Sequence, residues 1–108
     1  MSKKRAMVEE GSGNVFADLG LSNADEALAK AELARQIGAI IKKRGLKQVD
    51  AAKLLDIDQP KVSALTRGVL SGFSTDRLLR FLSLLSCDVE IVLKPSRRHR
   101  LGRITVTV

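Results

Sequence analysis

Two short amphipathic segments joined by a polar turn occupy residues 46–68, and they constrain the fold more than any other stretch. Apolar residues recur at helical spacing in both segments, at Val49, Ala52 and Leu55 in the first and at Val62 and Leu65 in the second. Such spacing gives each helix one apolar face and one polar face. Neither helix can bury its apolar face alone, so we expect the two to pack against each other and against further helices.

The residues between the two segments predict a tight turn with a defined start for the second helix. Asp56 can adopt the left-handed conformation that ends the first helix, and Ile57 then turns back into the core. Asp58 is a good N-cap, and Pro60 lies in the first helical turn, where a missing N–H is harmless. Gly68 stands where a left-handed residue ends the second helix. Together these signals predict a helix-turn-helix.

The motif resembles the Xre/Cro/repressor class of DNA-binding proteins. The matching positions are Gln48, Ala52, Leu55, Ile57, Val62, Ser63, Leu65 and Gly68. Lys47 departs from the pattern because Ser, Thr or Asn commonly caps the first motif helix, and Asp56 departs because Gly is usual there. Residues 13–20 and 88–95 look similar to the Xre-type antitoxins of HigA-like toxin–antitoxin pairs. The resemblance therefore implies a DNA-binding repressor that also binds a small toxin protein.

The expected fold is mainly α. We expect a lambda-repressor-like helix-turn-helix bundle of about four to five helices, followed by one or two C-terminal β-strands. Residues 1–12 are expected to form a disordered basic N-terminal tail, and residues 13–87 the helical DNA-binding domain with its motif at 46–68. Residues 88–108 are expected to contain the strands, a basic loop and the dimerisation element.

The remaining helices have clear boundary signals. The longest is expected from Asn23 to Arg44 and is ended by Gly45. The last begins after Ser74, an N-cap residue, with Phe73 placed to pack onto Leu78 as a hydrophobic staple. Apolar side chains cover more than half of this last helix, so we expect it to close the core and to meet a second subunit.

Alternating hydropathy predicts two strands near the C-terminus. The alternation covers residues 88–94 and 104–108, with Pro95 to Gly102 as a basic loop between them. A two-stranded hairpin is marginal on its own, and an exposed strand edge invites pairing. We therefore expect the strands to pair across a two-fold axis, in a homodimer whose interface consists of the sheet and the last helix.

The net charge of +7 favours a polyanionic partner, and the charge is unevenly distributed. Residues 42–67 contain seven basic and three acidic residues, and residues 95–108 contain four arginines and no acidic residue. Positive charge therefore lies on the predicted motif and on the C-terminal tail. The tail loop is expected either to add phosphate or minor-groove contacts or to be a plain solvated turn, and its arginines are Arg97, Arg98, Arg100 and Arg103.

The expected ligand is double-stranded DNA with an inverted-repeat operator. A dimer of such motifs places its two reading helices about 34 Å apart, in successive major grooves. At the start of the second motif helix, Gln59 suits adenine and Lys61 suits guanine. Ala64 follows on the exposed side, where its methyl group suits that of thymine.

Other residues are expected to complete the DNA contacts. Ser63 and Arg67 lie along the same exposed side of the second motif helix. Arg67 and Lys47 are expected to hold the phosphate backbone, which sets register and affinity but reads no sequence. The resemblance implies that Gln48, at the start of the first motif helix, is also a phosphate contact and braces Gln59.

Other classes of function find little support in the sequence. No Ser/His or Cys/His constellation, phosphate-binding glycine loop or carboxylate pair points to an enzyme, so we expect neither catalysis nor a cofactor. The single cysteine, Cys87, is interpreted as a small core residue, and His99 lacks the neighbours of a metal site. No apolar run could span a bilayer and no signal-peptide pattern begins the chain, so no membrane partner is expected and the expected location is the cytoplasm.

Three functional hypotheses remain open. The first is a transcriptional repressor that is also the antitoxin of a type II toxin–antitoxin pair and represses its own operon as a homodimer. The second is a stand-alone Xre-type regulator without a toxin partner, and the third is a protein-binding module that uses the fold as a scaffold. Val15, Phe16 and Leu19 accordingly either cover the first helix or contact a toxin.

Overall fold

The structure, a computed structural model, describes residues 23–96 and 102–108. Within these residues it contains four helices and no strand. The helices are α1 (Asn23–Lys43), α2 (Gln48–Leu55), α3 (Gln59–Thr66) and α4 (Thr75–Leu84). α1 and α2 each pack against both α3 and α4. The predicted helix-turn-helix is confirmed as the pair α2 and α3.

The core lies between the helices and receives side chains from all four. Five large side chains are less than 2% exposed, namely Ile37 of α1, Leu55 of α2, Val62 and Leu65 of α3, and Leu78 of α4. Burying a side chain of this size stabilises a fold by about 1.5–3 kcal/mol. Because α3 contributes two of these residues, its inward face is fixed and its opposite face is presented to solvent.

The start of α4 is held by two phenylalanine rings and an arginine. Phe73, just before the helix, is buried in the same cluster as Leu78, as the predicted staple requires. Its ring meets that of Phe81 edge to face, with the centroids 5.9 Å apart. The guanidinium of Arg77 lies 5.5 Å from both centroids, and Ser74 caps the helix by accepting the N–H of Arg77 at 3.2 Å. These contacts anchor the loop between α3 and α4.

The four described helices end in the same way, with one residue in the left-handed conformation. These residues are Gly45 (φ 65°), Asp56 (φ 59°), Gly68 (φ 81°) and Ser86 (φ 65°). At each end the N–H of the following residue donates to a carbonyl five residues earlier, as from Cys87 to Leu82 at 2.9 Å. Glycine is the usual residue at such a position. The left-handed conformation predicted for Asp56 is confirmed, whereas that of Ser86 was missed.

Replacing Ser86 with glycine is expected to raise the free energy of unfolding by about 0.5–1 kcal/mol, because a left-handed conformation costs a residue with a Cβ about 1–2 kcal/mol. Part of the gain is lost to the greater freedom of glycine in the unfolded chain. Urea unfolding followed by circular dichroism measures the change. The matched control is Ser83→Gly inside α4, which should lower stability by about 0.5 kcal/mol, since glycine is less favourable than serine in a helix. Changes of the same sign in both variants would contradict this account.

The prediction of C-terminal β-strands is wrong, because the described residues contain no strand. Within the described residues, no backbone hydrogen bond joins residues 88–94 to residues 104–108. The face expected to be buried is open to solvent, since Ile91 is 73% and Leu93 is 89% exposed. Alternation indicates which side of a strand could be buried. A strand also needs a neighbouring strand to hydrogen-bond with, and the described part of the chain, whose elements are all helices, contains none. The sheet predicted at the dimer interface is therefore absent from the described chain.

The last residues lie against the helices instead of pairing with another strand. Ile104 and Val106 are half-buried, and Val106 packs against the core cluster. Thr105 and Thr107 between and after them are exposed. The alternation in this segment thus reflects contact with helices, because an extended segment on a helical surface also buries every second side chain.

One core prediction for α2 is also wrong. Val49, which the spacing placed on the buried face, is 42% exposed, whereas Ala51 is fully buried. Val49 is the second residue of α2. At this end of the helix the side chains are exposed, so the apolar spacing does not lead to burial. Two small residues in the middle of this helix, Ala51 and Ala52, are buried instead and let α2 approach its neighbours closely.

Several sequence predictions fall outside the described residues. They concern the tail at 1–12, the apolar residues Val15, Phe16 and Leu19, and the arginine loop at 97–101. Of the four arginines assigned to the loop, Arg103 is described and is exposed. Among the described helices, none combines the length and the apolar character that crossing a membrane requires.

Candidate DNA-binding surface

The start of α3 is fixed by its cap. Asp58 has an extended backbone (φ −84°, ψ 166°), and its carboxylate accepts the N–H of Lys61 at 3.0 Å. Pro60 occupies the first turn, where no N–H is needed. Both the cap and the proline were predicted from the sequence and are confirmed. They leave the side chains of Gln59 and Lys61 exposed at the first turn of the helix.

The outward face of α3 brings together most of the predicted reading residues. Gln59, Ser63 and Arg67 are four residues apart and therefore follow one another along the same side of the helix. Gln59 and Arg67 are exposed and Ser63 is half-buried. Ala64 is also half-buried and packs against the core, so less of it is presented to solvent than the sequence suggested. The surface available for contact is thus mainly polar and basic.

Ser63 and Arg67 are joined by two hydrogen bonds. The backbone N–H of Arg67 donates to the Ser63 carbonyl at 3.0 Å, and the Arg67 Nε donates to the Ser63 hydroxyl at 3.2 Å. The same carbonyl accepts the hydroxyl of Thr66 at 3.1 Å. The sequence analysis missed the side-chain bond, although the spacing of four residues on a helix is a readable signal for it.

The start of α2 lies at the other end of the motif. Lys47 precedes the helix with an extended backbone, and no side chain caps the helix there, as its departure from the usual pattern predicted. Gln48 is the first helical residue and is exposed. Among the described residues no hydrogen bond links Gln48 to Gln59, and the brace between them stays a prediction. Free N–H groups in a first helical turn attract anions such as phosphate.

The cations around α2 and α3 are available to a polyanion. On α1, Glu32 pairs with Arg35 at 2.9 Å, and hydrogen bonds from Gln36 and Arg35 hold the pKa of Glu32 below its usual value. Arg44 donates to the Leu85 carbonyl at 3.3 Å, which ties the end of α1 to the end of α4. All seven basic residues at 42–67 are exposed, and none forms an ion pair with another described residue; they are Lys42, Lys43, Arg44, Lys47, Lys53, Lys61 and Arg67.

The described residues offer no alternative metal chemistry. No group of three or more His, Cys, Asp and Glu side chains in this part of the chain could hold a metal ion. Cys87 is half-buried against the core, with its Sγ 3.8 Å from the carbonyl oxygen of Asp88. His99 lies outside the described residues.

Comparison with known proteins agrees with this geometry. Residues 15–94 match the family described as a helix-turn-helix domain. A solved structure described as an XRE-family transcriptional regulator is 43% identical, with a TM-score of 0.75, and the match covers 81% of this chain and 99% of that one. A search of curated proteins found no match. Both the domain match and the structural match cover the α2–α3 motif, and the chain therefore belongs to the XRE family of DNA-binding helix-turn-helix transcriptional regulators.

Proposed function

We propose that the protein is a repressor that binds an inverted-repeat operator as a homodimer, with α3 of each subunit in the major groove. The outward face of α3 carries this proposal, because Gln59, Lys61 and Arg67 are exposed there. The two cations form no ion pair with other described residues. Membership of the XRE family supports DNA as the ligand.

Each residue of this surface has a proposed role. Gln59 pairs with adenine and Lys61 with guanine, since their donors and acceptors match the edges of these bases in the major groove. Ala64 retains a partly exposed methyl group, which suits the methyl group of thymine. The residues proposed to hold the DNA backbone are Lys47, Gln48 and Arg67.

The homodimer is proposed to form through apolar side chains that follow α4. Val89, Ile91, Val92 and Leu93 are 40%, 73%, 64% and 89% exposed. Apolar side chains clustered in this way on a surface are typical of an interaction site. Symmetric pairing of two copies through this segment gives the two-fold axis that an inverted repeat requires.

Ile91→Asp is expected to turn the dimer into a monomer, because pairing would bury its carboxylate without a partner. Sedimentation velocity at tens of micromolar, without DNA, measures the state of association. Val108→Asp is the control, since Val108 is 88% exposed but lies outside the cluster, and this variant should remain a dimer. A wild-type monomer under these conditions would contradict the proposed dimer.

Repression of its own operon is tested with the DNA immediately upstream of the coding sequence. Fluorescence anisotropy is measured at two salt concentrations and with excess unrelated DNA. We expect tight binding that survives the competitor, with a salt dependence that reports several phosphate contacts. Binding that disappears with competitor would contradict self-repression. Absence of binding to any duplex would favour the protein-binding scaffold.

We also propose that the protein is the antitoxin of a type II pair. The resemblance of residues 13–20 and 88–95 to HigA-like antitoxins supports this role. Co-expression with the protein encoded next to it is the test. A stable complex and relief of growth arrest are expected, whereas no complex and no growth effect would favour a stand-alone regulator.

A further inference from the structure

Arg67 is held at the end of α3 by a single residue. Its backbone N–H and its Nε both donate to Ser63, at 3.0 Å to the carbonyl and 3.2 Å to the hydroxyl. Arg67 is exposed and Ser63 is half-buried, so the hydroxyl lies between the helix and the guanidinium. The first of these bonds belongs to the helix, but the second fixes the direction of the side chain.

The bond to Ser63 decides which edge of the guanidinium remains free. An arginine side chain has five N–H donors in a planar fork. With Nε engaged, the free donors are those of Nη1 and Nη2, which form no hydrogen bond with another described residue. These two nitrogens form the end of the fork and match two oxygens of one phosphate group.

We infer that Ser63 is a positioning residue, which aims the Nη1–Nη2 edge of Arg67 at one phosphate of the DNA backbone. The inference rests on the proposed function, because it takes the outward face of α3 as the DNA-binding surface. Ser63 itself then reads no base. An arginine already held in its binding conformation loses less side-chain freedom on binding, and the affinity is correspondingly higher.

A double-mutant cycle tests the inference on the full chain. Ser63→Ala, Arg67→Ala and the double variant are titrated with two probes, the 30-base-pair duplex upstream of the coding sequence and a scrambled duplex of the same composition. Arg67→Ala should weaken binding to both duplexes about tenfold and reduce the salt slope by about 0.9, the value for one phosphate contact. Ser63→Ala should weaken binding about threefold in the wild type, but less than twofold in the Arg67→Ala background.

Two conservative variants separate positioning from a general structural effect. Ser63→Thr keeps the hydroxyl and should retain wild-type affinity. Arg67→Lys keeps the charge but has no Nε, so Ser63→Ala should have less than twofold effect in that background. Thermal unfolding of every variant checks that the fold is intact, which we expect because Arg67 is exposed and Ser63 is only half-buried.

Three results would overturn the inference. The first is an equal loss of DNA affinity from Ser63→Ala with and without Arg67, which would mean that Ser63 contacts the DNA independently of Arg67. The second is a change in base preference on Ser63→Ala, which would mean direct reading of sequence. The third is an unchanged DNA affinity when Ser63→Ala is made in the wild-type protein. The proposed function is judged separately, by whether the wild-type protein prefers the upstream duplex to the scrambled one.

Discussion

Leu78→Ala is expected to lower the free energy of unfolding by about 2–5 kcal/mol, enough to unfold much of a marginally stable domain. Leu78 is fully buried at the centre of α4 and belongs to the cluster shared by all four described helices. Alanine removes the transfer energy of the leucine side chain and leaves a cavity that the surrounding side chains fill only in part. Urea unfolding followed by circular dichroism measures the loss.

The control for this prediction is another leucine in a helix. Leu28 of α1 is 70% exposed, so Leu28→Ala should change stability by less than about 0.5 kcal/mol. The two variants make the same chemical change in the same kind of element, and they differ in burial. Similar losses in both would show that the described core is not what stabilises the protein.

Gln59→Ala is expected to lower discrimination at one base pair of the operator by about 1–3 kcal/mol, or roughly 5- to 150-fold. Gln59 is exposed at the first residue of α3, and the Asp58 cap that starts the helix does not depend on its side chain. The change should therefore remove a base contact without moving the helix. A panel of operator duplexes, each with one altered base pair, measures the preference by competition.

Gln48→Ala provides the matched control for Gln59→Ala. Gln48 is the same residue type and is exposed at the first residue of α2. As a backbone contact it should change affinity for every duplex alike and leave the base preference unchanged. If both variants shift base preference, or if neither does, the division of roles between the two helices is wrong.

Most of the motif could be predicted because its signals are local. The Asp58 cap, the left-handed Asp56 and the left-handed Gly68 each depend on a few neighbouring residues, and the structure confirms all three. The start of α4 after Ser74 was likewise readable, since a cap and a staple lie within six residues. The exposed positions of Gln59 and Lys61 followed from the same periodicity that placed Val62 and Leu65 in the core.

The largest error concerns contacts between segments that are distant in the sequence. Residues 88–94 have the alternation of a strand, but pairing needs a second segment at the correct distance, which the pattern does not report. The packing of Arg77 against Phe73 and Phe81 was missed, although residues 73, 77 and 81 have the spacing of four that brings side chains together on a helix. The Ser63 to Arg67 bond was readable in principle, but many serines and arginines at this spacing do not bond.

The shared ending of the four described helices has a consequence for the way the chain folds. Each boundary is set by a hydrogen bond that spans only five residues, so a helix can stop at its correct place before any tertiary contact exists. Chains whose interactions are close in sequence cross a low entropic barrier and fold within microseconds to milliseconds. In the dimer proposed above, we therefore expect the meeting of two subunits, and not the folding of either one, to be the slow step after synthesis.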